Sequence, residues 1–328
     1  MDIEKRSTGF GAAVILFAVF LRLAGLFVPG LAHSLRQESV PREPVWTGRG
    51  PQNVLEATQP QPVQTQPTVP TQPAPALVFS PEDMALVQLR YASDCALRAD
   101  LESLLLQPLV WDLTGSEPAV LILHSHATES YSLLPGQVDP SWDSYRSLSA
   151  HNNMVAVGEH LARLLEAAGI RVIHDRQLHD HPSYSQAYTQ SRQAAQAYLE
   201  QYPSIRVVLD LHRDAALNPD GSQYATSAWV DGQKSAQLML VMGSQATDER
   251  RAWEENLAAA LKLQVLLEQR APGITRPTVL RAQRFNQDLA AGAMLVEVGT
   301  AGNSMQEALV AVTVLAQAIA ALAHGANG

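Results

Sequence analysis

The order of apolar runs along this chain predicts an α/β fold, a largely parallel sheet covered by helices on both faces. Three observations carry that expectation. From Ala119 to Leu211 the segments alternate strand, helix, strand, helix, strand. The run Ala119–Leu123 is apolar at every position, which marks a strand buried on both faces. A final pair repeats the pattern, with the apolar run Met294–Val298 followed by a long helical segment over Ser304–Ala323.

In order, the folded domain (81–328) opens with the amphipathic stretch PEDMALVQLRYASDCALRADLESLLLQ, read as helical and placing Cys95 in a helix. After the strand Ala119–Leu123, a helix spans His151–Ala168, stops at Gly169 and leads into the strand Ile170–Ile173. The next helix, Ser183–Gln201, ends before Pro203 and gives way to the strand Ile205–Leu211. Ala225–Val230 and Gln237–Met242 flank Asp231-Gly232 and read as a hairpin. Trp253–Glu268 is a further helix, and Ser304 with Glu307 has the spacing of a capping box for the closing one.

Two segments of another kind precede this domain. Residues 1–33 read as a short tip and a membrane anchor, since Gly9–Ala32 is apolar except for Arg22. As a helix at about 1.5 Å per residue it is roughly 36 Å long, enough to cross a hydrocarbon core of about 30 Å. The alternative is a cleaved signal peptide, with Lys5 and Arg6 ahead of the apolar run and Gly30-Leu31-Ala32 as a cleavage site. Residues 34–80 are Pro- and Gln-rich, as in QPQPVQTQPTVPTQPAPA, where fixed φ and missing N–H donors oppose regular structure. This is a tether, and it implies a target at some distance from the membrane.

With 32 acidic and 23 basic side chains the net charge is -9, which leaves no electrostatic footprint for nucleic acid. The single cysteine, Cys95, excludes an intramolecular disulfide and any Cys-based zinc cluster. There is no G-x-S-x-G elbow and no Walker A sequence.

The chemistry concentrates at strand ends, where open α/β sheets bind ligands. His126 and Glu129 follow the strand Ala119–Leu123 and are three residues apart, close enough to share one ion, and His212 ends another strand. A His, Glu, His set is that of a catalytic zinc with its fourth position left for water. Glu297, in AMLVEVG, would be an isolated carboxylate unless a cation or a proton balances it, which makes it the natural general base. Its structural alternative is an ion pair with Arg213. The cluster HDRQLHDHPSY (174–184) reads as a polar loop bordering the site, with a second metal as the alternative.

Five segments, HSHATESY (124–131), HDRQLHDHPSYSQAYTQS (174–191), LDLHRDA (209–215), RFNQDL (284–289) and LVEVGTAGNSMQEA (295–308), resemble in order the characteristic segments of the stage II sporulation protein P family. The resemblance implies a zinc amidase related in fold to the amidase_3 hydrolases, cutting between N-acetylmuramic acid and L-alanine, with endopeptidase activity on peptide cross-links. It implies a peptidoglycan substrate, and the stage II sporulation proteins D, a lytic transglycosylase, and M as partners. It also implies a single-pass membrane location with the catalytic domain on the extracytoplasmic face at the sporulation septum. Carried over by residue, His126, Glu129 and His212 hold zinc and Glu297 is the base. The motif leaves His124 as a rival to His126, and His151 as a rival to Glu129. His124 or Arg213 would stabilise the oxyanion, and Arg213 would otherwise hold substrate carboxylates. The competing functions are a metal-free wall-binding module that recruits another hydrolase, and a metallo-endopeptidase or carboxypeptidase.

Overall fold

The computed structural model describes residues 77–109, 111, 113–134, 136–142, 145–244 and 252–325. The expected anchor and nearly all of the expected tether lie outside the described residues. Leu77 and Phe79 pack on the core, so the folded domain includes residues ahead of 81.

The strands are β1 (Leu89–Tyr91), β2 (Val120–Leu123), β3 (Val172–His174), β4 (Val207–Asp214), β5 (Ser227–Val230), β6 (Gln233–Ala236), β7 (Leu238–Gly243), β8 (Thr278–Arg281) and β9 (Ala293–Thr300). The α-helices are α1 (Leu101–Leu106), α2 (Met154–Ala167), α3 (Ala187–Gln201), α4 (Ala252–Arg270) and α5 (Met305–Gly325). The main sheet has the order β1-β8-β7-β9-β4-β2-β3. Neighbouring strands run parallel except where β7 meets β9. The sheet is therefore largely parallel, built from two parallel blocks joined at one antiparallel seam.

Both faces are covered, and β2 shows how. Val120 and Ile122 point into the large core formed with α2, α4 and α5, while Leu121 and Leu123 point into a second core with Ala195, Tyr198 and Leu199 of α3. Continuous apolar runs follow from this two-sided burial. Asn153 caps α2 by accepting from the Val155 N–H at 3.0 Å, and Gly169, at φ 83°, turns the chain out of that helix. The capping box of α5 forms as expected: Ser304 N–H donates to Glu307 Oε2 at 3.2 Å and Glu307 N–H to Ser304 Oγ at 3.3 Å. Met305–Ala323 is long and apolar enough to cross a membrane, yet Ala308, Val312, Leu315 and Ile319 are buried in the domain core.

Three expectations are corrected. Asp231 and Gly232, both at positive φ, do close a hairpin, but it pairs β5 with β6; Leu238–Gly243 instead joins the main sheet against β9. The opening stretch is a 3-10 turn (Pro81–Leu86), a short strand and a short helix. Cys95 lies in the loop between that strand and helix, buried, with Sγ 3.7 Å from Ser244 Oγ.

Candidate active site

β2, β4 and β9 are adjacent, so the three strand ends that carry the chemistry are brought side by side. Leu123 stands opposite Asp210, and His212 opposite Glu297. Alternation puts Asp210 and His212 on the face of Val208, and Glu297 on the face of Ala293, both in the α3-side core. The register slips between His212 and Asp214, an irregularity of the kind that re-aims side chains near sites.

His126 and His212 meet edge to face, with ring centroids 5.3 Å apart. Tyr184 lies flat on His126 at 4.5 Å, and Tyr188 stands edge-on to it at 5.5 Å. His212 Nδ1 is 3.6 Å from Glu129 Oε2. Its Nε2 is 2.8 Å from Asp210 Oδ1 but off the direction of a formed hydrogen bond. Glu129 Oε2 accepts from the Arg213 backbone N–H at 3.2 Å, and Oε1 faces the Arg146 and Arg213 guanidinium groups at 3.6 and 3.7 Å.

Burial alone would raise Glu129, but Arg213 and His212 hold its carboxyl far below the usual range. Burial lowers His126 to about 4 against the opposing pull of Glu129, so its imidazole is neutral, as a ligand must be. Burial also opposes charge on His212, yet Asp210 and Glu129 outweigh it and raise the imidazole well above its ordinary value. Glu297 is pushed up to about 8 by burial, against the lowering effect of His212.

Three buried atoms in this cluster have no hydrogen-bond partner: His126 Nδ1, His212 Nε2 and Glu297 Oε2. Such atoms are rare and ask for an ion or a water. The donor types, two imidazoles and a nearby carboxylate, fit a zinc-like cation. Among the described residues no group of three or more His, Cys, Asp or Glu already surrounds a common centre, so the donors are neighbours that would have to turn inward onto an ion.

Two expected residues point elsewhere. His124 follows Val120 and Ile122 on the opposite face from His212; its Nδ1 meets Leu211 O at 3.1 Å and its Nε2 meets His174 Nε2 at 3.0 Å. Both nitrogens are occupied, which corrects its assignment as an oxyanion donor. Gly158 of α2 packs so closely that a Cβ there would lie 2.5 Å from both Nε2 atoms. Arg213 alternates away from His212 and acts as a clamp, with Nε donating to Ser130 O at 2.9 Å and Nη2 to Tyr145 O at 2.8 Å. It pairs with Glu129 and not with Glu297, so neither the substrate-binding role nor the Glu297 ion pair fits its placement. His151 is exposed. The His-rich loop is a buttress: Asp180 accepts from Thr128 N–H and Oγ1–H at 3.1 and 2.6 Å and pairs with Arg146 at 2.6 Å.

Asp210, Tyr184, Tyr188 and Arg146 were not among the expected residues. Asp210 was findable, two positions from His212 on one strand face; Arg146 has no signal outside the folded structure.

The molecule is thus an α/β domain with a histidine and carboxylate cluster at the carboxyl ends of adjacent strands. The model of the stage II sporulation protein P family matches residues 50–320, and the chain belongs to that family. It is 30% identical over 206 residues to stage II sporulation protein P of Bacillus subtilis (strain 168), a match covering 59% of this chain and 48% of that protein. The chain therefore spans about half the length of the curated relative it matches. Among solved structures it is distantly similar to an N-acetylmuramyl-L-alanine amidase of Mycobacterium smegmatis, with 13% identity, TM-score 0.39, and 65% of this chain and 98% of that one covered. An N-acetylmuramoyl-L-alanine amidase of Nostoc punctiforme is similar at 14% identity and TM-score 0.38, over 64% and 97% of the two chains.

Proposed function

We propose that this chain is a zinc-dependent peptidoglycan hydrolase, an N-acetylmuramoyl-L-alanine amidase with endopeptidase activity as a second capacity, remodelling septal wall during sporulation. The observation that carries the reading is the pairing of His212 with Glu297 across β4 and β9, beside His126, with an unpartnered buried atom on each of the three. Family membership supports peptidoglycan as the substrate class. The same reading places Gly9–Ala32 in the membrane and the catalytic domain outside the cytoplasm, working with stage II sporulation proteins D and M.

His126, Glu129 and His212 would hold the zinc. When bound, it supplies a Lewis acid that lowers the pKa of a water toward about 7 and polarises the scissile carbonyl. Glu297 takes the water's proton at Oε2 and returns it to the leaving amine. Burial pushes its carboxyl up to about 8, and a cation held beside it would bring it back toward the range of a base at neutral pH. Arg213 and Arg146 keep Glu129 ionised and fixed, while Tyr184 and Tyr188 cover His126 and limit water.

The test is mass spectrometry of muropeptides after purified peptidoglycan is incubated with the full chain, with and without chelator. Stem peptides released with a free L-alanine amine, and only without chelator, support the amidase. Free amino acids would favour a carboxypeptidase. Binding to the wall without any release would overturn the reading in favour of a recruiting module.

A further inference from the structure

A cavity of about 420 Å³ adjoins the histidine cluster, lined by Thr128, Ser141, Arg146 and Leu148 of the segment after β2 and by Asp180 and Tyr184 of the segment between β3 and α3. Two of its walls also belong to the site. Tyr184 stacks on His126, and the Arg146 guanidinium stands 3.6 Å from Glu129 Oε1. Hydrogen bonds behind the lining set its shape. Asp139 accepts from the Ser141 N–H at 2.9 Å, the Ser141 Oγ–H at 2.7 Å, Asn152 Nδ2 at 2.9 Å and the Ser147 hydroxyl, while Asp180 holds Thr128 and Arg146. The surface left facing the cavity is mixed, with Leu148 and Tyr184 45% and 40% exposed beside the guanidinium. An apolar flank with a few fixed polar groups is how small ligands are held. A pyranose ring, with C–H bonds on its faces and hydroxyls on its rim, has the matching surface.

The order of the strands gives the substrate a direction. Along β9-β4-β2-β3 the strand ends present Glu297, then His212, then the segments of His126 and the cavity. The proton that Glu297 takes from water has to reach the departing amine, so the peptide side of the scissile bond lies over β9. The acyl side, with its sugar, then points past His126 toward β3, where the cavity is. Charge agrees with this direction. Arg146, on the cavity side, is already paired with Asp180 and faces Glu129. On the other side β7 adjoins β9, with Met239 opposite Glu297 and Leu238 opposite Val298. There Arg276 donates its backbone N–H to Leu238 O at 2.7 Å and pairs through Nη1 with Asp214 at 2.8 Å, while its Nε and Nη2 are buried without a partner. Of the two arms of the substrate only the peptide carries free carboxylates, the groups such donors fit.

Resting on the proposed amidase, we infer that the cavity between the segments after β2 and β3 is a subsite for the N-acetylmuramic acid unit on the acyl side of the cleaved bond. The substrate lies across the strand ends with its sugar toward β3 and its peptide toward β7.

Two synthetic substrates test this on the zinc-loaded full chain: N-acetylmuramoyl-L-alanyl-D-isoglutamine, and the same dipeptide carrying a bare lactyl group in place of the sugar. Native kcat/KM should favour the sugar-bearing substrate by about tenfold or more, because binding energy from the remote sugar is used at the reacting bond. Leu148→Trp, which fills the cavity from an exposed position, should lower kcat/KM for the sugar-bearing substrate to that for the lactyl peptide. No preference in the native chain, or a preference that survives in a variant whose melting curve shows it folded, overturns the inference. Backbone amide NMR shifts on adding N-acetylmuramic acid to the metal-free native chain need neither turnover nor the variant. Shifts at residues 145–148 and 180–184 are expected; shifts confined to other residues, or none, overturn the inference. A native chain that cleaves neither substrate removes the amidase reading, and the shift map then decides by itself whether the cavity holds the sugar.

Discussion

Glu268, near the end of α4, and Glu297, on β9, are carboxylates of one domain with opposite surroundings. Glu268 Oε1 accepts from the Thr275 N–H at 2.8 Å and the Thr275 Oγ–H at 2.5 Å, and Oε2 from the Gly273 N–H at 2.7 Å, so it staples the turn that leads from α4 toward β8. Glu297 Oε2 is buried with no partner, and burial holds its carboxyl protonated up to about pH 8. A buried carboxylate whose acceptors are filled stabilises the fold, whereas one left unfilled is stable only as an acid or beside a cation. The difference separates a structural region from a chemical one without reference to any relative.

Substituting each glutamate is the sharpest way to break the comparison. Glu297→Gln keeps the shape and removes the base, so turnover on peptidoglycan should fall by about 10²- to 10⁴-fold while the melting temperature holds; near-normal hydrolysis by a folded variant would take Glu297 out of the mechanism. Glu268→Ala should do the reverse. It leaves three donors without an acceptor and should cost about 2 to 4 kcal/mol of stability in denaturant unfolding, with turnover per folded molecule unchanged.

The two neighbouring histidines extend the contrast at smaller scale. Because His124 packs against α2 and not into the cleft, Gly158→Ala should cost about 1 to 3 kcal/mol through overpacking and leave zinc content intact. Elemental analysis and a melting curve on one preparation check both halves; loss of zinc would show that His124 serves the site after all.

The smallest effect is a slope with pH. Glu297 is raised from 4.5 to about 8 in the folded state, so the stability it contributes is fully present below about pH 4.5 and is lost as pH rises through about 8. His126 and His174, lowered to about 4, act in the opposite direction, but only below their ordinary value of 6.5. Between about pH 6.5 and 8, metal-free wild type should therefore lose stability relative to Glu297→Gln as pH rises. Parallel curves would mean that Glu297 is ionised throughout.

The strands of the site were legible because two-sided burial writes itself as mostly apolar runs, unbroken in β2 and interrupted in β4 and β9 only by the residues of the site and their neighbours. The candidate residues were legible because they follow those runs directly. What escaped was orientation. Alternation along β2 and β4 turns His124 and Arg213 to the face away from His212, and that information stops being readable where a strand passes into a turn. The hairpin was misassigned because no Gly or Pro separates Ala236 from Leu238, so one continuous stretch conceals two sheets. β1 and β8, of three and four residues, are too short to show a period.

β9 is the last strand among the described residues and yet an inner one, seated between β4 and β7. Until it inserts, the block β4-β2-β3 and the block β7-β8-β1 have no common edge. A nascent chain that has emerged only as far as β8 already carries His126, Glu129 and His212, but it has neither the joint of its sheet nor Glu297. Glu297 and the joint of the sheet are therefore supplied by one and the same strand.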